Sequence, residues 1–258
     1  MLVYPIVWCG ECSLCRRGME HLCQNWQYFG MHRAGGYAEL VTVPERCCIR
    51  LPDGVDAAEA ACLPVAGLTA FHALVSVGKL EPGETPLLWG ASGGVGNFAI
   101  QLAKLQGARV LATTRRPAEL SSVLQQWGAD VVLPHDPDAV AEAVRQLAPD
   151  GVDVVLDYVG PATFSHSWAL LRKGGRLLLC GILTGRQAQL SLHLTYLRHL
   201  SIHGIYLGTR AELEQLLQLL ESGRLRPAIA ERLPLAQAAR AHELMESSQH
   251  VGKLVLLP

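Results

Sequence analysis

Four cysteines crowd the start of the chain with the spacing Cys9-x2-Cys12-x2-Cys15-x7-Cys23. Cysteines three apart in a turn can aim their sulfurs at one tetrahedral ion, and a fourth from further along closes the shell. Four thiolates leave no position open for water or substrate, so a zinc ion held this way keeps structure and carries out no reaction. Disulfide pairing is the other use of such a cluster, although in a reducing compartment clustered cysteines more often hold metal. The other four, Cys47, Cys48, Cys62 and Cys180, stand in apolar or strand-like surroundings and read as core filler.

A second constellation is Gly90-Ala91-Ser92-Gly93-Gly94-Val95-Gly96, between an apolar strand-like run and a helical pattern. Glycines let a backbone turn tightly and approach a pyrophosphate, while a helix N-terminus supplies N–H groups and the positive end of its dipole. Glycine turns also serve geometry alone, but this one opens a βαβ unit of the right length. Gly90, Ser92, Gly93, Gly94, Val95 and Gly96 are therefore expected to hold a dinucleotide. The third constellation, Thr113-Thr114-Arg115-Arg116, ends the next strand, where an NAD-binding chain ordinarily places a carboxylate for the ribose hydroxyls. Guanidinium groups bond phosphate oxygens bidentately. Thr114, Arg115 and Arg116 thus predict NADPH in preference to NADH, the other reading being that the arginines are merely solvated.

These groups need a scaffold. Apolar runs at 86–89, 109–113, 130–133, 152–158, 176–180 and 201–207 read as strands. Between them lie stripes at helical spacing: Val95, Ala99, Leu102 and Ala103; Leu120, Val123, Leu124 and Trp127; Ala139, Ala143, Val144 and Leu147; and Phe164, Trp168 and Leu171. Such alternation predicts an α/β fold with a doubly wound parallel sheet. The alternating run Tyr37-Ala38-Glu39-Leu40-Val41-Thr42-Val43 reads as a barrel or hairpin strand. Leu213, Leu216, Leu217 and Leu220 mark an amphipathic helix that Gly223 stops, followed by an Arg226-Pro227 turn. A closing strand at 253–257 is expected to lie outside the central sheet.

Half of the 258 residues are hydrophobic and 17% are charged, a globular composition long enough for two domains. No apolar run approaches the about 18 residues of a membrane span. The net charge of −1 comes with no basic block to hold a nucleic acid. A soluble cytoplasmic protein without nucleic-acid or membrane partners is expected.

In this order the motifs resemble the medium-chain dehydrogenase/reductase superfamily, which contains zinc alcohol dehydrogenases and quinone oxidoreductases. Cys9, Cys12, Cys15 and Cys23 match its structural-zinc lobe, and Gly30-Met31-His32-Arg33-Ala34-Gly35-Gly36-Tyr37-Ala38-Glu39 the strand that follows. Gly90 to Gly96, spelled GASGGVG, resembles the quinone oxidoreductase form of the loop, and Gly252-Lys253-Leu254-Val255 also fits. The resemblance implies a Rossmann domain at 62–206, with 1–61 and 207–258 forming part of a GroES-like catalytic domain. Family members begin with more of that barrel, so the chain is expected to be an N-terminally truncated piece of one. It also implies a homodimer through the strand at 201–207, whose apolar edge invites pairing.

One departure bears on the reaction. Zinc alcohol dehydrogenases carry Cys-Ala-Gly-x-Thr where this chain has Val65-Ala66-Gly67-Leu68-Thr69. Valine cannot ligate zinc, and Cys62 is displaced by three residues. The resemblance therefore implies a branch that keeps the structural zinc and lacks the catalytic one. Without a Lewis acid the enzyme must polarise its acceptor by hydrogen bonds or a positive group, or use one that is already electrophilic, as quinones and α,β-unsaturated carbonyls are. Thr69 stands where the family places a nicotinamide contact; His72 is a candidate proton donor or a packed residue. His193, His199 and His203 are too irregularly spaced for a metal site. The competing readings are a zinc-dependent alcohol dehydrogenase with an unusual third ligand and a non-catalytic NADPH-binding protein.

Overall fold

Six apolar runs become six parallel strands in the unit Ala70–Tyr206 of the computed structural model, which describes residues 1–258. They are β1 (Pro86–Leu88), β2 (Leu111–Thr114), β3 (Val131–Pro134), β4 (Val152–Asp157), β5 (Leu171–Leu179) and β6 (Ser201–Gly204). Helices alternate with them: α1 (Gly94–Leu105), α2 (Pro117–Gln126), α3 (Pro137–Leu147), α4 (Pro161–Leu170) and α5 (Leu192–Leu197). The strand order is β6-β5-β4-β1-β2-β3. The chain winds outward from β1 in one direction and from β4 in the other, so the carboxyl ends of these neighbours form the switch point at which such sheets bind ligands. All three residues of β1 are buried, as a central strand covered on both faces requires.

Three expectations about this unit need correction. The buried face of α3 is Val140, Ala141 and Val144, with Ala139 exposed and Ala143 and Leu147 only partly covered. The predicted stripe is out by about one residue because alanines occur on several sides of this helix and blur its apolar face. Strand β5 begins five residues before the predicted 176, and Lys173-Gly174-Gly175 sits within it as an irregularity between the Val152↔Leu171 and Val154↔Arg176 pairs. Leu171 consequently opens a strand and does not complete the stripe on α4. Strand β6 ends at Gly204, three residues before the predicted Leu207, and pairs only with β5.

The other unit comprises Met1–Thr69 and Leu207–Pro258. Leu2–Val3 pairs antiparallel with Cys48–Ile49, and Ile6–Val7 with Gln27–Tyr28. Helix α6 (Arg210–Glu221) buries Leu213, Leu216, Leu217 and Leu220 and starts with a reciprocal capping box between Thr209 and Glu212. Past its end Gly223 adopts φ +72°, a left-handed conformation that glycine enters without a Cβ penalty. Strand β7 (Ile229–Pro234) runs parallel to β8 (Lys253–Leu257) in a separate two-stranded sheet.

The alternating run 37–43 forms no strand. Tyr37, Val41 and Leu40 are exposed, Leu40 by 90%, and no segment pairs with them. Alternation specifies a strand only where a partner takes up the backbone hydrogen bonds and a core takes the apolar face. Cys47 and Cys62 are buried as core residues, whereas Cys48 and Cys180 are only partly covered. No helix is long and apolar enough to cross a membrane.

Candidate functional site

The four N-terminal cysteines meet. Their sulfurs all lie within 4.8 Å of one another, and they are the one group of three or more potential metal-ligating side chains in the structure. Cys12 caps the short helix Ser13–Arg16, its sulfur accepting from the N–H of Cys15, and Gly10 turns the preceding loop at φ +84°. The Sγ–Sγ separations are 3.8 Å for Cys9–Cys15, 3.3 Å for Cys12–Cys15 and 3.5 Å for Cys9–Cys23. Sulfurs about 2.3 Å from a tetrahedral zinc stand about 3.8 Å apart, while a disulfide would bring a pair to about 2.05 Å. The geometry fits the ion and not the bond. Backbone N–H groups of Cys12, Cys15 and Cys9 point at the sulfurs of Cys9, Cys12 and Cys23, donors that favour thiolates. The thiol of Cys9 is held down to about 6, first by the N–H of Cys12 and then by that of Glu11; Cys12 is lowered, first by the N–H of Cys15. Arg46 braces the lobe, donating 2.6 Å to the carbonyl of Trp8 and lying over its ring.

At the carboxyl end of β1 the glycine loop turns into α1. Gly90 has φ +60°, and a Cβ at Gly96 would lie 2.4 Å from the Cα of Ala91, so each position demands glycine. Gly93 caps α1 with no side-chain bond, which leaves the first-turn N–H groups of Gly94, Val95 and Gly96 without a capping side chain. A tight glycine turn that packs closely on its own backbone and leads into uncapped N–H groups fits a pyrophosphate. The hydroxyl of Thr114 donates to Ser92 Oγ at 3.4 Å, linking the loop to the end of β2.

Beyond β2 the two arginines differ. Arg115 is exposed and takes part in no ion pair, whereas Arg116 Nη1 lies 3.2 Å from Glu119 Oε2. The pKa of His135 is lowered by burial first and by the charge of Arg115 second. A 2′-phosphate would find one uncommitted guanidinium and one shared with a carboxylate.

Sequence reading missed the groups beneath the loop. Asp157, at the end of β4, is completely buried. It accepts from the N–H groups of Val159 and Gly160 at 2.9 and 3.0 Å, and from the hydroxyls of Thr163 and Ser167 at 2.8 and 2.7 Å. Ser167 in turn accepts from Trp89 Nε1 at 2.8 Å. The hydroxyl of Tyr158 donates to the carbonyl of Gly90. The available signal was an acid closing an apolar run, since a buried carboxylate must be surrounded by donors.

The departure at Val65 has a geometric side. Val65 is 45% exposed on a helical segment, while Cys62 is buried with its thiol donating 3.3 Å to the carbonyl of Ala58. Burial, ahead of neighbouring charges, raises that thiol to about 11. Thr69 is buried and His72 partly exposed. His193 bonds Tyr196 at the surface and joins no cluster.

Residues 94–222 match the family model for zinc-binding dehydrogenases, and residues 1–53 that for the alcohol dehydrogenase GroES-like domain. The chain is 32% identical over 252 residues to the NAD-dependent alcohol dehydrogenase of Saccharolobus solfataricus, covering 96% of this chain and 72% of the relative. It is 29% identical over 231 residues to the quinone oxidoreductase of Homo sapiens, covering 87% of this chain and 70% of that protein. The solved structure of a cobalt- and zinc-bound thermostable alcohol dehydrogenase from Pyrobaculum aerophilum superposes with a TM-score of 0.89 at 34% identity, over 99% of this chain and 74% of the other. A zinc ion and a nicotinamide cofactor both fit this company. The chain belongs to the medium-chain dehydrogenase/reductase superfamily of NAD(P)-dependent oxidoreductases, and it is shorter than the relatives it matches.

Proposed function

We propose that the chain serves an NADPH-dependent reductase of a quinone or an α,β-unsaturated carbonyl, in which zinc is structural only. The observation that carries this reading is the pair Val65 and Cys62: the exposed position offers no ligand, and the nearby thiol is turned into the core and bonded to Ala58. Without a metal to polarise a simple carbonyl, an acceptor already activated by conjugation asks least of the protein's own hydrogen bonds.

When bound, the nicotinamide supplies the hydride. In this reading the uncapped N–H groups of Gly94, Val95 and Gly96 hold the pyrophosphate, Gly90 and Gly93 shape the turn that presents them, and Ser92 is oriented by Thr114. Arg115 and Arg116 grip the 2′-phosphate, and Thr69 contacts the nicotinamide. Cys9, Cys12, Cys15 and Cys23 hold one zinc that maintains the lobe. Residues 62–206 act as the nucleotide-binding domain, with 1–61 and 207–258 contributing to the catalytic domain. Edge strand β6 pairs with its copy in a homodimer, and the protein works in the cytoplasm on a small-molecule substrate.

The test combines metal analysis with turnover. The expected result is one zinc per chain, NADPH binding about tenfold tighter than NADH by nicotinamide fluorescence, and hydride transfer to quinones or enones but not to simple ketones. Tenfold corresponds to about 1.4 kcal/mol, less than a fully desolvated arginine–phosphate bond because exposure and salt screen it. A second zinc equivalent that survives Cys12→Ser, together with alcohol oxidation, would replace this reading by a zinc-dependent alcohol dehydrogenase. Binding without any hydride transfer would favour a non-catalytic role.

A further inference from the structure

Gly90 is gripped at both of its peptide ends by side chains from the two strands flanking β1. Its N–H donates 2.9 Å to Thr113 Oγ1 on β2, 23 residues on, and its carbonyl accepts from the hydroxyl of Tyr158, 68 residues on, just past β4. Thr113 is completely buried and lies 2.9 Å from His135 Nδ1, so its hydroxyl is fixed in turn. The ring of Tyr158 crowds position 90, where a Cβ would stand 3.1 Å from the phenol oxygen. The peptide of Gly90 is thus locked at a left-handed φ from either side.

From this we propose that Thr113 and Tyr158 are positioning residues that preset the glycine loop for a pyrophosphate; the inference rests on the dinucleotide reading above. An unclamped glycine samples many conformations, and ordering them on binding opposes affinity. The clamp also keeps the Gly90 carbonyl, which would repel an anion, occupied by the phenol and by the N–H of Gly93 at 3.2 Å. The loop then presents to the ligand the N–H groups at the start of α1. Burial first, then Cys180 and Asp157, push the Tyr158 phenol far above the usual tyrosine range, so it stays a donor throughout the working pH range.

Tyr158→Phe, Thr113→Val and Thr113→Ser, together with Arg115→Ala, separate this clamp from the 2′-phosphate contact. The probes are NADPH, NADH, ADP-ribose and 2′-AMP, the last carrying no pyrophosphate. Tyr158→Phe and Thr113→Val should weaken NADPH, NADH and ADP-ribose by a common factor of about ten and leave 2′-AMP within twofold. Thr113→Ser should restore the wild-type values because it keeps the hydroxyl. Arg115→Ala should do the reverse, weakening NADPH and 2′-AMP but not NADH or ADP-ribose. Wild-type affinity for ADP-ribose in Tyr158→Phe and Thr113→Val would overturn the clamp while leaving the dinucleotide reading intact. A wild-type protein that binds none of the three pyrophosphate-bearing probes would remove the reading and the clamp with it. Should both variants lose their near-ultraviolet circular dichroism and weaken all four probes alike, the two contacts hold the fold and the positioning role is wrong.

Discussion

The carboxylate of Glu20 accepts a 2.5 Å hydrogen bond from the backbone N–H of Arg210, 190 residues further along the chain. Glu20 lies between the third and fourth cysteines of the zinc lobe, and Arg210 is the first residue of α6. The N–H at that position has no partner within the helix. Thr209 and Glu212 satisfy each other through the capping box, and Glu20 supplies the acceptor they cannot. The side chain of Arg210 continues the link to the carbonyl of Cys48 at 3.1 Å. Glu20→Ala would leave a helix-end N–H unpaired in a site where Glu20 itself is only 7% exposed. A loss of about 1–3 kcal/mol is expected. Urea unfolding would measure it, with faster hydrogen exchange in the first turn of α6 as the local sign.

The zinc lobe gives the second prediction. Elemental analysis should find close to one zinc per chain, and Cys12→Ser should lose it, because three thiolates and a hydroxyl no longer complete the shell. Cys62→Ser, by contrast, should keep the full equivalent, since that thiol is spent on Ala58. Loss of zinc in the Cys62 variant would contradict the ligand set.

Cofactor preference should divide unequally between the arginines. Arg115 has no ion-pair partner, and Arg116 shares its guanidinium with Glu119. Arg115→Ala should therefore remove more of the NADPH preference than Arg116→Ala. Glu119→Gln should raise the preference by about two- to threefold, within the roughly 0.2–1 kcal/mol an exposed pair contributes. Fluorescence titration with both nucleotides reads all three; equal losses at Arg115 and Arg116 would show that the Glu119 contact does not matter.

Acid sensitivity should trace to Glu84. Its carboxylate accepts from Arg176 Nη1 at 2.9 Å and Nη2 at 2.5 Å, and from the N–H of Glu81 at 2.9 Å. Burial pushes its pKa upward, but the Arg176 bonds and the Glu81 N–H outweigh that and hold it below the usual glutamate value. A carboxyl lowered by folding stabilises the protein above its unfolded pKa, about 4.3, and that contribution is lost as pH falls through the folded value. Glu84→Gln should thus be destabilised at pH 7 by about 1.5–3 kcal/mol, with the gap to wild type closing in strongly acidic solution. Denaturation at several pH values checks this; a gap that stays constant down to the lowest pH would show that charge plays no part.

What could be read from the order of residues alone was whatever depends on neighbours a few positions apart. The Cys9–Cys23 spacing announced a cluster, and the glycine loop its turn. The Leu213–Leu220 stripe announced a helix, and the apolar runs a parallel sheet. Each follows from local geometry: a turn of fixed reach, a 3.6-residue helical period, or a backbone buried on both faces. The tertiary structure decided what depends on which strands lie side by side. Only the order β4-β1-β2 brings Tyr158 and Thr113 to opposite ends of the Gly90 peptide, and only the packing of α4 sends Ser167 and Thr163 to Asp157. The run 37–43 alternates like a strand and is none, because the hydrogen bonds of a strand belong to its partner. Cys62 reads from the sequence as core filler three residues away from the family's ligand position, and only the packing shows where its thiol goes, to the carbonyl of Ala58. Hydrogen bonds and burial are properties of pairs, and a linear pattern names only one member of each.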